Sequence, residues 1–236
     1  MNIKGIIFDY GGTLDTGGDH WSRVIRQGWA KAGVVADDAL FREAYVYAER
    51  ELDRTSHILP HHDFSDLLKI KMRIELGYLA STGHFPPAMV DTKADEVAAY
   101  CYEVAKSNTE KAAPVLEQLS KRYPIVLVSN FYGNLSTVLK DFGIFKYFKA
   151  VVESSTEGIR KPDPGLFNIG IKALGFKPED ILVVGDSMKN DIEPAKKLGC
   201  QTLLLNGKGW DDETLTPSEI GAINSVDEIL SFLENI

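Results

Sequence analysis

The sequence predicts a doubly wound α/β fold, a mostly parallel sheet interrupted by a block of helices, on two observations. Short apolar runs rich in β-branched residues alternate with helical patterns through the second half of the chain, and one such run stands alone near the amino terminus. Between that first run and the second lies a long stretch whose periodicity is helical throughout.

The runs Gly5 to Asp9, Ile125 to Ser129, Ala150 to Glu153 and Ile181 to Asp186 are apolar on both alternating faces, as expected for strands covered by helices on either side. Thr202 to Leu205 reads as a fifth strand. Helical patterns separate them, around Ala113 to Arg122, Gly133 to Phe142, Pro164 to Leu174 and Ile192 to Leu198. A last helix is expected from Val226 to Leu233, with Ser225 as N-cap and Glu228 completing a capping box.

The roughly 90 residues after the first strand exceed any ordinary crossover and predict an inserted domain. Four apolar stripes at helical spacing support it: Trp21, Val24, Ile25 and Trp29; Leu40, Ala44, Ala48 and Leu52; Leu67, Leu68 and Met72; Val97, Ala98, Cys101 and Val104. Four amphipathic helices can bury a core of their own. The expected division is therefore residues 1–15 and 107–236 for the sheet domain and 16–106 for the helical one, with Gly17-Gly18 and Ser107-Asn108 as candidate hinges.

A formal net charge of -8 and an isoelectric point near 5.2 argue against a nucleic-acid backbone or an anionic membrane surface as the main partner. No apolar stretch approaches the roughly 20 residues of a membrane span, and Ile3 to Phe8 is too short for a signal-peptide core. The two cysteines, Cys101 and Cys200, are far apart and form neither a disulfide framework nor a thiolate cluster, which fits a reducing cytoplasm. A cytoplasmic chain, a monomer or weak homodimer, is the expectation.

Ligands of doubly wound sheets bind at the carboxyl ends of the strands, which here are Asp9, Ser129 and Asp186. With Lys161 in the loop after the third strand, two carboxylates, a hydroxyl and a cation would converge, a set able to hold Mg²⁺ and a phosphoryl group. Each residue also has a plainer reading: a turn at Ser129, a solvated charge at Lys161, helix caps at Asp186 and Asp191.

Four ordered segments, Asp9-Tyr10-Gly11-Gly12-Thr13-Leu14, Ser129-Asn130, Arg160-Lys161-Pro162 and Gly185-Asp186-Ser187 with Asp191, resemble the motifs of the haloacid dehalogenase superfamily. The inserted helices are similar to that family's mobile cap on a Rossmann-like core. The resemblance implies a Mg²⁺-dependent hydrolase acting on a small phosphorylated metabolite, with Asp9 as nucleophile and Ser129 and Lys161 as catalytic partners. Thr13, Ser129, Asn130 and Lys161 would bind the phosphoryl group. Asp9, the main-chain carbonyl of Gly11 and Asp186 would hold the metal, with Asp191 bonding its waters or Lys161.

One position departs from the pattern, because Gly11 stands where most phosphatases of the family carry a second Asp as general acid. Such an acid is worth roughly 10² to 10⁴ in rate. The readings it leaves are an easy leaving group, a proton from another residue, dehalogenation, or a phosphate-binding protein with weakened catalysis. Asp15, Asp19 and His20 are candidate replacements, Asp19 being also a candidate helix cap. His57, His61 and His62 cluster without a zinc-like spacing and could contact substrate. Trp210, in a glycine-rich loop, could reach the site entrance.

Overall fold

In a computed structural model, described here for residues 2–210 and 221–235, the chain forms a six-stranded parallel sheet of order β3-β2-β1-β4-β5-β6. The strands are β1 (Gly5–Phe8), β2 (Ile125–Ser129), β3 (Ala150–Glu153), β4 (Ile181–Gly185), β5 (Gln201–Leu205) and β6 (Gly221–Ile223). Five match the apolar runs. The sixth, three residues long and mostly exposed, carries no apolar alternation to reveal it.

β1 lies between β2 and β4, so the chain winds outward on one side and then returns to build the other. That reversal opens a crevice at the carboxyl ends of β1, β2 and β4. Alternation along β1 sends Ile7 to one face, against Phe167, Leu166 and Ile171 of α7 (Gly165–Leu174), and Ile6 and Phe8 to the other. The second face is covered by α5 (Leu135–Asp141) and by the end of a much longer helix, and its apolar cluster continues into the inserted helices.

Those helices are α1 (Trp21–Ala32), α2 (Asp38–Arg54), α3 (Phe64–Ser81) and α4 (Val90–Ser120). The expected break at Ser107-Asn108 is absent: the stripe of the fourth inserted helix and the segment Ala113 to Arg122 belong to one helix of 31 residues. Buried Ala105, Thr109 and Ala112 carry the apolar stripe across the junction. Asn108 Nδ2 and Thr109 Oγ1 donate back to the carbonyls of Val104 and Ala105, so residues that favour turns are absorbed by the helix. Pro114 lies inside it.

Three other ends differ from expectation. His20, rather than Asp19, caps α1, its ring accepting from the Ser22 amide, while Asp19 Oδ1 accepts from the Lys208 amide. The segment expected as Ile192 to Leu198 opens with a π-helical turn, Met188–Ile192, before α8 (Glu193–Lys197). The last helix, α9 (Glu228–Glu234), starts later than Val226; Glu228 reaches back to the Asn224 amide and the Ser225 hydroxyl instead of forming the capping box. A one-turn helix, α6 (Ser154–Glu157), follows β3.

Two glycines separate packing from propensity. A Cβ on Gly170 of α7 would lie 2.6 Å from Val128 Cγ2 beneath it, whereas one on Gly77 of α3 would meet nothing within 4 Å. Gly170→Ala should lose about 1–3 kcal/mol of stability to overpacking. Gly77→Ala should gain about 0.5–1 kcal/mol from backbone entropy, both read by denaturant unfolding.

Candidate active site

The carboxyl ends of β1, β2 and β4 deliver Asp9, Ser129 and Asp186 to one crevice, as strand geometry requires. Asp9 continues the pairing of β1, its amide donating to Val184 O at 3.0 Å. Its carboxylate is nearly buried and is held from two sides: Ser129 Oγ donates to Oδ1 at 2.9 Å, and Lys161 Nζ lies 2.7 Å from the same oxygen. Lys161 Nζ also lies 2.6 Å from Asp191 Oδ1. Burial alone would depress the Lys161 pKa, but Asp191 and Asp9 hold it above the ordinary lysine value, so the ammonium stays charged.

Asp191 is drawn inward rather than capping a helix from outside. It sits within the π-helical turn, where Oδ2 accepts from the Ser187 amide. A Cβ at position 185 would fall 2.5 Å from that of Asp191, so the glycine makes the approach possible. Likewise Gly12, at φ +96, leaves room for Asp186, whose oxygens a Cβ there would meet at 2.5 and 2.6 Å. Thr13 Oγ1 donates to Asp186 Oδ1 at 2.9 Å and reaches Asp9 Oδ2 only at 3.4 Å.

Asp9, Asp186 and Asp191 each offer an oxygen within 4.8 Å of the others. Three buried or half-buried carboxylates face one ammonium in this cluster, an imbalance that a divalent cation would correct. Burial, and then the neighbouring acids, push Asp186 and Asp191 above the usual carboxylate range. Gly11 lines the same cavity.

Asn130 lines the cavity and also engages the Lys161 backbone. Its Oδ1 accepts from the Lys161 amide at 2.8 Å and its Nδ2 donates to the Lys161 carbonyl at 3.0 Å. The side chain thus fixes the backbone that carries Lys161, and the Ser129 hydroxyl is turned to Asp9.

The cavity over Asp9 has a volume of about 220 Å³ and is roofed by α2 and α3. Of the candidate replacement acids only His20 lines it. The His20 Nδ1 accepts from the Ser22 amide, placing any ring proton on Nε2 of a neutral imidazole, and burial with nearby Lys71 lowers its pKa to about 4. At neutral pH it has no acidic proton to give. Asp15 lies below the cavity, fully buried, with Oδ1 accepting from the Gly12 amide and Oδ2 from Trp21 Nε1. Burial pushes its pKa up to about 8, yet both bonds favour the carboxylate and tie it to the loop it supports.

None of His57, His61 and His62 lines this cavity: His57 pairs with Glu51, and His62 accepts from the Leu59 amide. Trp210 packs against His20, Tyr45 and the Arg42 guanidinium, sealing α2 to the loop after β5. Residues without a motif complete the roof: Glu49 of α2 and Lys71 of α3, which form an ion pair, and Tyr132, whose hydroxyl donates to Glu49 Oε2 at 3.0 Å. The available signal was two charged residues, Lys71 and Glu75, four residues apart on a stripe otherwise apolar.

The raised carboxylates generate a measurable linkage. Protonated carboxyls must release protons to ligate, so divalent-cation binding should weaken as pH falls, beginning above the ordinary carboxylate range of about 4. Calorimetric titration with Mg²⁺ in buffers of different ionisation enthalpy should show proton release near neutrality.

The chain is similar to several known hydrolases. A glyceraldehyde 3-phosphate phosphatase of Methanocaldococcus jannaschii is 38% identical over 95 residues, which span 40% of this chain and 41% of that protein. The N-acylneuraminate-9-phosphatase of Rattus norvegicus is 28% identical over 170 residues, 66% of this chain and 68% of its own length. The magnesium-bound HAD-hydrolase YfnB from Bacillus subtilis superposes over 100% of both chains with a TM-score of 0.61 at 16% identity, a likeness of fold. The family model for haloacid dehalogenase-like hydrolases matches residues 3–199, and the chain belongs to that family.

Proposed function

We propose that the protein is a Mg²⁺-dependent phosphatase of small phosphorylated metabolites that works through a phosphoryl ester on Asp9. The observation that carries this reading is the chain Asp9–Lys161–Asp191, with contacts of 2.7 and 2.6 Å among three buried side chains beside Asp186. A phosphatase name attached to partial relatives supports it.

Asp9 attacks phosphorus, the ester oxygen leaves, and water then opens the acyl phosphate to return the carboxylate and inorganic phosphate. Ser129 and Lys161 orient the Asp9 carboxylate, and Lys161 offsets charge as the equatorial oxygens gather it. Asp9, Asp186 and the Gly11 carbonyl would hold Mg²⁺, with Asp191 behind them. The ion would supply charge neutralisation and orientation of the phosphoryl oxygens. An acidic triad in need of a cation fits this reading better than dehalogenation, in which a halide departs without a metal.

His20 and Asp15 are unsuited to protonate the leaving oxygen, and Asp19 is outside the cavity, bonded to the Lys208 amide. The reading therefore favours esters whose leaving oxygen is a weak base, such as anomeric or acyl phosphates. Position 11 can test this cleanly, because Gly11 is not in the left-handed region and a Cβ there would meet only Trp21 Nε1, at 4.0 Å.

Asp9→Asn should lower turnover by on the order of 10³ or more with little change in the thermal transition; an active variant would remove the nucleophile assignment. Gly11→Asp should fold normally and raise the rate on an alkyl phosphate relative to an acidic aryl phosphate by up to about 10². An unchanged ratio of the two rates would mean that protonation at position 11 is not limiting.

A further inference from the structure

The roof of the cavity holds a charge pair that the chemistry at Asp9 does not use. Lys71 is buried, with 5% of its surface exposed, and its ammonium stands 4.5 Å from the centre of the Tyr45 ring. It pairs with Glu49 from the neighbouring helix, and Tyr132, from the loop after β2, donates to the same carboxylate. Burial would raise the Glu49 pKa, but Lys71 and the Tyr132 hydroxyl hold it below the usual range, so the pair is ionic. Both residues line the cavity, and the Glu49 side chain keeps 27% of its surface open.

A pair of this kind is costly to bury unless its remaining hydrogen-bonding capacity is used. An ammonium has three donors, of which one faces Glu49, and a carboxylate has about four acceptor positions. On the cavity surface the pair thus offers adjacent donors and acceptors whose charges cancel. Hydroxyl groups, each of which both donates and accepts, complement it. A carboxylate on the ligand would find the ammonium already neutralised and Glu49 repelling it. Lys161 is committed to Asp9 and Asp191 at the base of the site, and Arg160, also on the wall, is half exposed and lies 3.4 Å from Asp53, so its field is screened by solvent and by a counter-charge. Trp21, Leu67 and Phe131 give the remaining wall apolar surface on which the carbon face of a sugar can rest.

We infer that the Lys71–Glu49 pair, braced by Tyr132, selects a phosphate ester whose leaving group is neutral and hydroxyl-bearing, a sugar or polyol rather than a carboxylate-bearing acid. This rests on the phosphatase reading above and assigns the substrate class of the same site. A hydroxyl bonded to a charged partner contributes about 1.5–3 kcal/mol, which corresponds to roughly tenfold to a hundredfold in specificity.

Matched esters isolate recognition from leaving-group chemistry. Glucose 1-phosphate and glucuronic acid 1-phosphate share an anomeric leaving oxygen and differ in one terminal group, as do glycerol 3-phosphate and 3-phosphoglycerate with a primary one. With Mg²⁺ present, the parent protein should show kcat/KM at least tenfold higher for the neutral member of the faster pair. Glu49→Gln should shrink that ratio by on the order of tenfold. The double variant Glu49→Gln/Lys71→Met, which removes both members of the pair together, should shrink it as well, so a fold defect in the single variant does not decide the matter. A parent ratio at or below one, or a ratio that neither variant moves, overturns the assignment. So does hydrolysis of p-nitrophenyl phosphate by the parent without hydrolysis of any of the four esters. Failure on p-nitrophenyl phosphate as well would instead overturn the phosphatase reading itself.

Discussion

The buried ammonium of Lys161 is the interaction on which the active-site geometry depends. It joins Asp9 of the first strand to Asp191 of the turn after the fourth, two buried acidic groups that would otherwise repel each other. Removing one partner from such a network typically costs 3–5 kcal/mol, because the remaining charges stay buried. Several local features follow from keeping that ammonium in place. Asn130 grips the Lys161 peptide on both sides, Gly185 leaves space for Asp191, and Ser129 occupies a further position on the Asp9 oxygen.

Much of this arrangement was legible in the sequence, for physical reasons that differ by element. Parallel strands are apolar on both faces and end abruptly in polar residues, so Asp9, Ser129 and Asp186 could be placed at one edge before any contact was known. Lys161 and Asp191 lie in loops and turns: the loop after the third strand offered Lys161 as a nearby cation, but its role, and any role for Asp191 beyond a helix cap, came from the resemblance. The short outer strand escaped because three exposed residues carry no alternation. Ser107-Asn108 resembled a break because Ser and Asn favour turns, but burial of Ala105, Thr109 and Ala112 outweighed that preference. Capping residues were equally deceptive, since Asp19 and His20 are adjacent and the chain direction at the helix start decides between them.

The roof was the least legible part. Glu49 and Lys71 come from different helices, and a charged residue beside an apolar stripe ordinarily marks its solvated margin. Their partnership exists only once α2 and α3 pack and Tyr132 rises from the sheet layer to meet them. Gly11 shows the complementary limit: sequence comparison marks a missing carboxyl there, while the structure adds that the space for it is open and the nearby acids are engaged elsewhere.

Helix α4 gives the inserted helices a mechanical character. At 1.5 Å per residue its 31 residues make a rod about 46 Å long, packed at one end against α1 and α3 and at the other beneath the sheet. The other connection, through Gly17 and Gly18, is pinned where a Cβ on Gly207 would stand 2.0 Å from the Gly18 carbonyl. One attachment is therefore a beam and the other a pivot. Moving the roof would require bending the beam, whose ladder lacks an N–H at Pro114. A continuous helix on one side therefore holds the roof in register with the sheet, whereas a roof joined through two loose loops would have no fixed position.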